Sequence, residues 1–218
     1  GPLRESLLLA MGAVKDDSFK DIMQEGLEDD SAAIRRACVT GLTGMDAVDA
    51  APAIAGLIHD EDRGVRQAVI SALMDLDGRT FLKPILKRTD PAVESDQAVR
   101  EQACEAILAI AKKLETEAFP PILEMLEKQE GVSSLTIGIL QHYIDALRRS
   151  DSSKLPDALY QLGKALLGAE RPVEAERPLK EAFELAKSSG ADVPAPVDIW
   201  KSYIDASLKA GDPNLGDI

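Results

Sequence analysis

Apolar residues return along most of the chain at the three-to-four-residue spacing of amphipathic helices, and the helices so marked come in pairs. Leu3, Leu7, Ala10, Met11 and Val14 fall at i, i+4, i+7, i+8 and i+11, one face of a 3.6-residue period, and predict a helix from Leu3 to Val14. Lys15-Asp-Asp-Ser18 reads as a turn with Ser18 as N-cap. Phe19, Ile22, Met23 and Leu27 predict the next helix, the acidic turn Glu28-Asp-Asp-Ser31 follows it, and Ile34 to Met45 completes a helical hairpin. The unit returns from Ala50 to Leu76, with Pro52 near its start and Ile54, Leu57 and Ile58 inward. After a turn at His59-Asp-Glu-Asp62, its second helix is expected to bury Val65, Val69, Ala72, Leu73 and Leu76. Phe81, Leu82, Ile85 and Leu86 predict a further first helix, and Thr89 to Asp96 a longer turn before the helix that Val99 opens.

Aligned on their second helices, these units share more than periodicity. Leu3-Arg4, Ile34-Arg35, Val65-Arg66 and Val99-Arg100 each place an apolar residue before an arginine, with a small and then a large apolar residue seven and eight positions on. The anchors are 31, 31 and 34 residues apart, a period that means a solenoid of stacked hairpins. The turn from Thr89 to Asp96 absorbs the extra residues, and because insertions in repeat arrays tend to protrude it is a candidate contact loop. Phe119, Ile122, Leu123 and Leu126 predict another first helix and Leu135 to Leu147 its partner. There Ile139 takes the anchor position and Leu140 replaces the arginine, as expected of a closing repeat.

Arg149-Ser-Asp-Ser-Ser-Lys154 is short and polar and marks the expected boundary, beyond which the period changes. Leu159, Leu162, Gly163, Leu166, Ala175, Leu179 and Ala182 have the spacing of a closely approaching helix pair. After Gly190 and the break at Pro194-Ala-Pro196, Asp198 is placed to cap a helix carrying Ile199, Trp200, Tyr203, Ile204 and Leu208, and Ala210 to Ile218 reads as a loop.

Composition narrows what such an array does. Of 218 residues only 4% are aromatic while 45% are hydrophobic, the balance of helices packed with Ala, Leu, Val and Ile. The net charge of −13 argues against a nucleic-acid backbone or an anionic membrane as the main ligand. No run approaches the length of a membrane span, and Leu7-Leu8-Leu9 is too short for a signal peptide. The chain starts in mid-repeat, so a piece of a longer protein is expected, with a cytoplasmic setting as the default. Cys38 and Cys104 lie two repeats apart, too far to bridge at about 8–10 Å per helix layer, and read as small apolar residues. His59 and His142 have no Cys or second His at ligand spacing. Asp60-x-Asp62-x-Gly64 lacks the oxygen ligand of an EF-hand's fifth position and has Ser71 at the twelfth. No phosphate loop, nucleophile elbow or catalytic carboxylate pair is present.

The Val/Ile-Arg second helices, together with Asp29 and Asp60 five residues before their anchors, resemble HEAT repeats of the short bacterial kind from Leu3 to about Arg149. Pro156 to Ser189 resembles one tetratricopeptide repeat through Leu159, Leu162-Gly163, Leu166, Ala175, Leu179 and Ala182, and Trp200 stands where a second would open. The resemblance implies an all-α, right-handed α-α superhelix: a HEAT-like array over residues 1–149, then tetratricopeptide-like helices over 150–218. It implies that the arginines pair with the turn aspartates for geometry, a reading preferred to an anion-binding row. It also implies that the second helices line a concave face, which puts Arg36, Gln67 and Glu101 in one row, Thr40, Ser71 and Glu105 in the next, and Met74 in a third. Tyr160 and Lys164 would face the groove of the C-terminal repeat.

The paired His-Glu iron motifs of HEAT-repeat hydroxylases are missing, and a single Trp with net negative charge opposes a glycosylase-like DNA groove. The expected function is therefore a non-enzymatic scaffold, monomeric and without cofactor, that binds a protein or peptide. A bilin-lyase-like enzyme or tetrapyrrole chaperone, and a structural spacer in a larger repeat protein, are the alternatives.

Overall fold

A six-residue helix followed by one twice as long is the unit from which the first part of the molecule is built. The structure is a computed structural model that describes residues 2–129, 133–150, 153–189 and 196–211, and among these every regular element is helical. α1 (Pro2–Val14) is a long helix, and α2 (Lys20–Glu25) with α3 (Ala32–Gly44), and α4 (Ala51–Gly56) with α5 (Arg63–Asp77), form the next two hairpins. α6 (Leu82–Lys87) precedes α7 (Gln97–Ala111), and α8 (Phe119–Leu126) precedes α9 (Ser133–Ser150). α10 (Leu155–Gly168), α11 (Pro172–Ser189) and α12 (Pro196–Ala210) follow. The chain divides into two compact units, Gly1–Ile110 and Ala111–Ile218. Compactness is a different criterion from the change of repeat type expected near residue 149.

In the first unit the long helices pack side by side, α1 on α3 and α3 on α5, with α2 on α3 and α4 on α5. Val65, Val69, Ile70, Ala72 and Leu73 are the buried stripe of α5, each worth roughly 1.5–3 kcal/mol for the larger side chains. Leu76 is half-buried, and Ile70, not among the residues expected inward, is buried. α1 and α3 touch backbone to backbone: a Cβ on Gly12 would lie 2.4 Å from the Gly41 Cα. Two glycines thus set how closely these helices approach.

Some local expectations are corrected by geometry. The cap after α1 is Asp16, whose carboxylate accepts the Ser18 N–H at 2.9 Å, because a short 3-10 turn (Asp17–Phe19) begins one residue earlier than a helix would. Asp198 lies inside the first turn of α12, not before it. The turn after α6 does not simply protrude: Thr89 and Glu94 are buried while Pro91, Ala92 and Val93 stay outside.

In the second unit α8 packs on α9, α9 on α10, α10 on α11, and α12 on both α11 and α10. Leu179 presses against Gly163 so closely that a Cβ there would meet it at 2.4 Å, so a small residue is required at that crossing. Phe119 stacks on Tyr143, and Trp200 sits between Phe183 and Tyr203. Of the expected boundary loop at 149–154, residues 151 and 152 lie outside the described residues. So do the Gly190 and Pro194 break and the tail from 212 on.

Candidate functional site

The arginine of each second helix performs a fixed task. Arg35 donates Nη1 to the Asp29 and Asp30 carbonyls, closing its own turn, and its Nε and Nη2 fork grips both oxygens of Asp60 in the next repeat at 2.7 and 2.8 Å. Arg66 repeats this with the Asp60 and Glu61 carbonyls and, at 2.8 Å each, the Glu94 carboxylate. Arg100 closes its turn through the Glu94 and Ser95 carbonyls, and Arg4 reaches Asp29 at 2.7 Å from an exposed position. Asp29, Asp60 and Glu94 each also accept a backbone N–H two residues on. A bidentate guanidinium bond of this kind is both stronger and more directional than a point charge.

Electrostatics follow from that geometry. Burial acts to raise the Asp60 carboxyl, but the Arg35 fork, the Asp62 N–H and the charges of Arg35 and Arg66 outweigh it and hold the group below its ordinary value. Glu94 is alike: burial is opposed by Arg66, the Asp96 N–H and Arg88, and the net shift is downward. The acidic turns are therefore largely structural. Asp62 and Asp96 cap α5 and α7 by accepting the N–H of Val65 and Val99 at 3.0 and 3.1 Å. Glu94 was hidden because aspartate stands at the two earlier positions; an acidic residue five before the anchor is the signal that finds all three.

With the arginines occupied, the second-helix rows remain. Arg36 and Thr40 are exposed on α3, and the Arg36 guanidinium pairs with Glu5 of α1 at 3.2 Å. Gln67, Ser71 and Met74 are half-buried on α5. Gln102 of α7 donates Nε2 to the main-chain carbonyl of Gln67 and to the Ser71 hydroxyl, so Ser71 of the predicted polar row is spent holding α5 to α7 while the Gln67 side chain is not. Glu101 and Glu105 are exposed on α7, and Gln97 donates to Glu101 at 2.7 Å. The seven residues thus share three adjacent helices. Tyr160 and Lys164 belong to the second unit, with the Lys164 ammonium 5.5 Å above the Tyr160 ring.

Stacked hairpins, Arg-to-acid bonds that link Arg4, Arg35 and Arg66 to Asp29, Asp60 and Glu94, and a row of accessible side chains on the long helices describe a repeat array. Residues 20–94 match the family model of HEAT repeats. HEAT repeats generally mediate protein interactions and are typically non-enzymatic. No curated protein matches the chain.

Away from the Arg-acid bonds the titratable groups are dispersed. His59 accepts from the Arg88 guanidinium; partial burial of the ring first, then the Arg88 and Lys87 charges, lower its pKa. His142, on α9, is lowered by burial and by Lys112. Both cysteines are free thiols, and burial pushes Cys38 up to about 11. Among the described residues no group of three or more His, Cys, Asp and Glu is placed to hold a metal ion, and no helix is long and apolar enough to cross a membrane. The second unit carries two clefts open to solvent. One, of about 280 Å³, is bordered by α9, α10 and α11; the other, of about 480 Å³, lies along α11 and reaches Tyr203 of α12.

Proposed function

We propose that the chain is a non-enzymatic scaffold that binds a protein or peptide along the face formed by its long second helices. The observation that carries this reading is the division of labour on those helices. Their arginines and inward apolar residues hold the stack together, while Arg36, Thr40, Glu101 and Glu105 remain exposed on neighbouring helices beside the half-buried Gln67, Ser71 and Met74. A surface of this kind binds through contacts spread over several repeats. In the same reading residues 1–149 are one HEAT-like array, and α10 and α11 form a tetratricopeptide-like hairpin within residues 150–218, supported by the close approach at Gly163. Tyr160 and Lys164 would then line a separate groove.

A tetrapyrrole needs an enclosed apolar chamber, whereas both clefts of the second unit are open and rimmed by charge, so the geometry favours the scaffold. The test is affinity capture from lysate with the native chain beside the variant Thr40→Arg/Glu105→Arg. Both positions are exposed, so the stack should be unaffected. Capture of a protein by the native chain and its loss by the variant supports the reading; equal capture by both refutes it.

A further inference from the structure

α1 turns an apolar face to solvent. In the 31-residue register its Leu3 and Leu7 stand where Ile34 and Cys38 stand in α3, and Val65 and Val69 in α5. Those four counterparts are buried, whereas Leu3 is 84% exposed, Leu7 52% and, further along the same stripe, Val14 67%.

On α3 and α5 the cover is the short helix of the same hairpin. α2 and its 3-10 extension Gly26–Glu28 pack on α3, and α4 with Leu57–His59 packs on α5. The contact falls on the residues in question: a Cβ on Gly26 would lie 2.4 Å from the Cys38 Sγ and 3.9 Å from Ile34. Another flank of α1 is already occupied, since Leu8 is buried and Gly12 meets Gly41 of α3. The repeats themselves therefore define what fits the bare face. α2 and α4 each bury a large apolar pair at i and i+4, Met23 with Leu27 and Ile54 with Ile58, and an aspartate follows two residues later.

Arginine adds a direction. Arg35 and Arg66 donate Nη1 to the carbonyls of the turn that ends the short helix, Asp29 and Asp30 in one repeat, Asp60 and Glu61 in the next. Arg4 gives Nη1 to the Asp29 carboxylate and is 60% exposed, so a cation stands at the start of α1, where the partial negative charge of an incoming helix C-terminus is favoured.

We propose that this face of α1 is a docking site for a short amphipathic helix of another polypeptide, with large apolar residues at i and i+4 and an acidic residue two positions beyond the second. The helix lies antiparallel to α1 with its C-terminal turn at Arg4, as α2 lies on α3 in its hairpin. Leu3 to Val14 spans fewer than two heptads, short of the about three to four of a self-paired coiled coil, so α1 of a second copy is a poorer cover. So short a helix is marginal alone in water and orders as it binds, which makes the affinity modest. The site does not use Arg36, Thr40, Glu101 or Glu105, so it stands or falls separately from the face proposed above.

The experiment titrates the isotope-labelled full chain with a capped peptide of its own residues 48–61, which carries Ile54, Ile58 and Asp60. The matching faces of α3 and α5 are already covered, so backbone amide shifts are expected at residues 3–14 and not around Thr40 or Glu105. Ile54→Ser/Ile58→Ser in the peptide should abolish them. Leu3→Ser/Leu7→Ser in the chain, at exposed positions, should weaken binding about tenfold with helicity unchanged. A spin label on the peptide's C-terminus should broaden residues 3–7 more than 11–14. No shifts at millimolar peptide, shifts centred elsewhere, equal binding of the serine peptide, unchanged affinity in the variant, or stronger broadening at 11–14 would each overturn the proposal. So would a peptide-free dimer of the native chain that Leu3→Ser/Leu7→Ser dissociates, because a second copy would then hold the face.

Discussion

Arg35 and Arg66 each do two things with one guanidinium, satisfying carbonyls of their own turn and gripping the acid of the next repeat. The consequence is a large difference between rungs. Glu94 is buried and accepts from both Arg66 and Arg88, so Glu94→Ala leaves two guanidiniums short of a partner and should cost about 3–5 kcal/mol in urea unfolding. Arg4 is 60% exposed, and Arg4→Ala should cost less than about 1 kcal/mol. Equal costs would mean that the rungs do not organise the stack.

The pH dependence follows with a defined sign. Asp60 and Glu94 have folded pKa values below their ordinary ones, so an unfolded chain takes up protons first as pH falls. Their stabilisation is complete above the unfolded carboxylate values, roughly 4, and is lost as pH drops through the lower folded ones. Denaturant titrations of the native chain should show stability falling below about pH 5, and Asp60→Asn/Glu94→Gln should be weaker at pH 7 with a shallower fall. An unchanged slope would assign acid sensitivity to other carboxylates. At this scale the sequence was legible where spacing is strict, as for Arg35 with Asp60. It was opaque where partners come from outside the repeat pattern, as Gln102 does in holding Gln67 and Ser71.

At the scale of elements, helix crossings divide the glycines into two kinds. Gly12 meets Gly41 with no room for a methyl group, so Gly12→Ala must push α1 from α3 and should lower the thermal midpoint by several degrees. Gly56, at the end of α4, has nothing within 4 Å of where a Cβ would sit, and Gly56→Ala should be neutral or stabilise by up to about 1 kcal/mol. Calorimetry on the two variants checks the contrast, and a stable Gly12→Ala would show that the crossing is looser than its backbone contact implies. The helices themselves were readable from apolar periodicity, and the stripe of α5 differs only in exchanging Leu76 for Ile70. Their short 3-10 extensions were not readable, because a turn such as Leu57–His59 continues the same apolar pattern with one hydrogen bond shifted. The cleft over Leu159, Leu162 and Leu166 was also invisible: those residues read only as core, and its walls come from the flanking helices α9 and α11, whose packing angles the spacing does not give.

For the whole molecule, strict repetition explains both what was evident and what was not. A period of 31 residues and a shared Arg-acid bond define how each repeat meets its neighbour, so the helical stack can be read from one copy. A binding face is defined by what varies between copies, and Arg36, Gln67 and Glu101 occupy one position with three different chemistries. The central claim is that this face receives a partner. Its most direct test is a photo-crosslinking amino acid placed either at Thr40, on α3, or at Ala53, an exposed position on the short helix α4. Reaction with the captured protein from Thr40 and not from Ala53 is the predicted result. A crosslink from Ala53 with none from Thr40 would contradict it and move the interaction to the short helices.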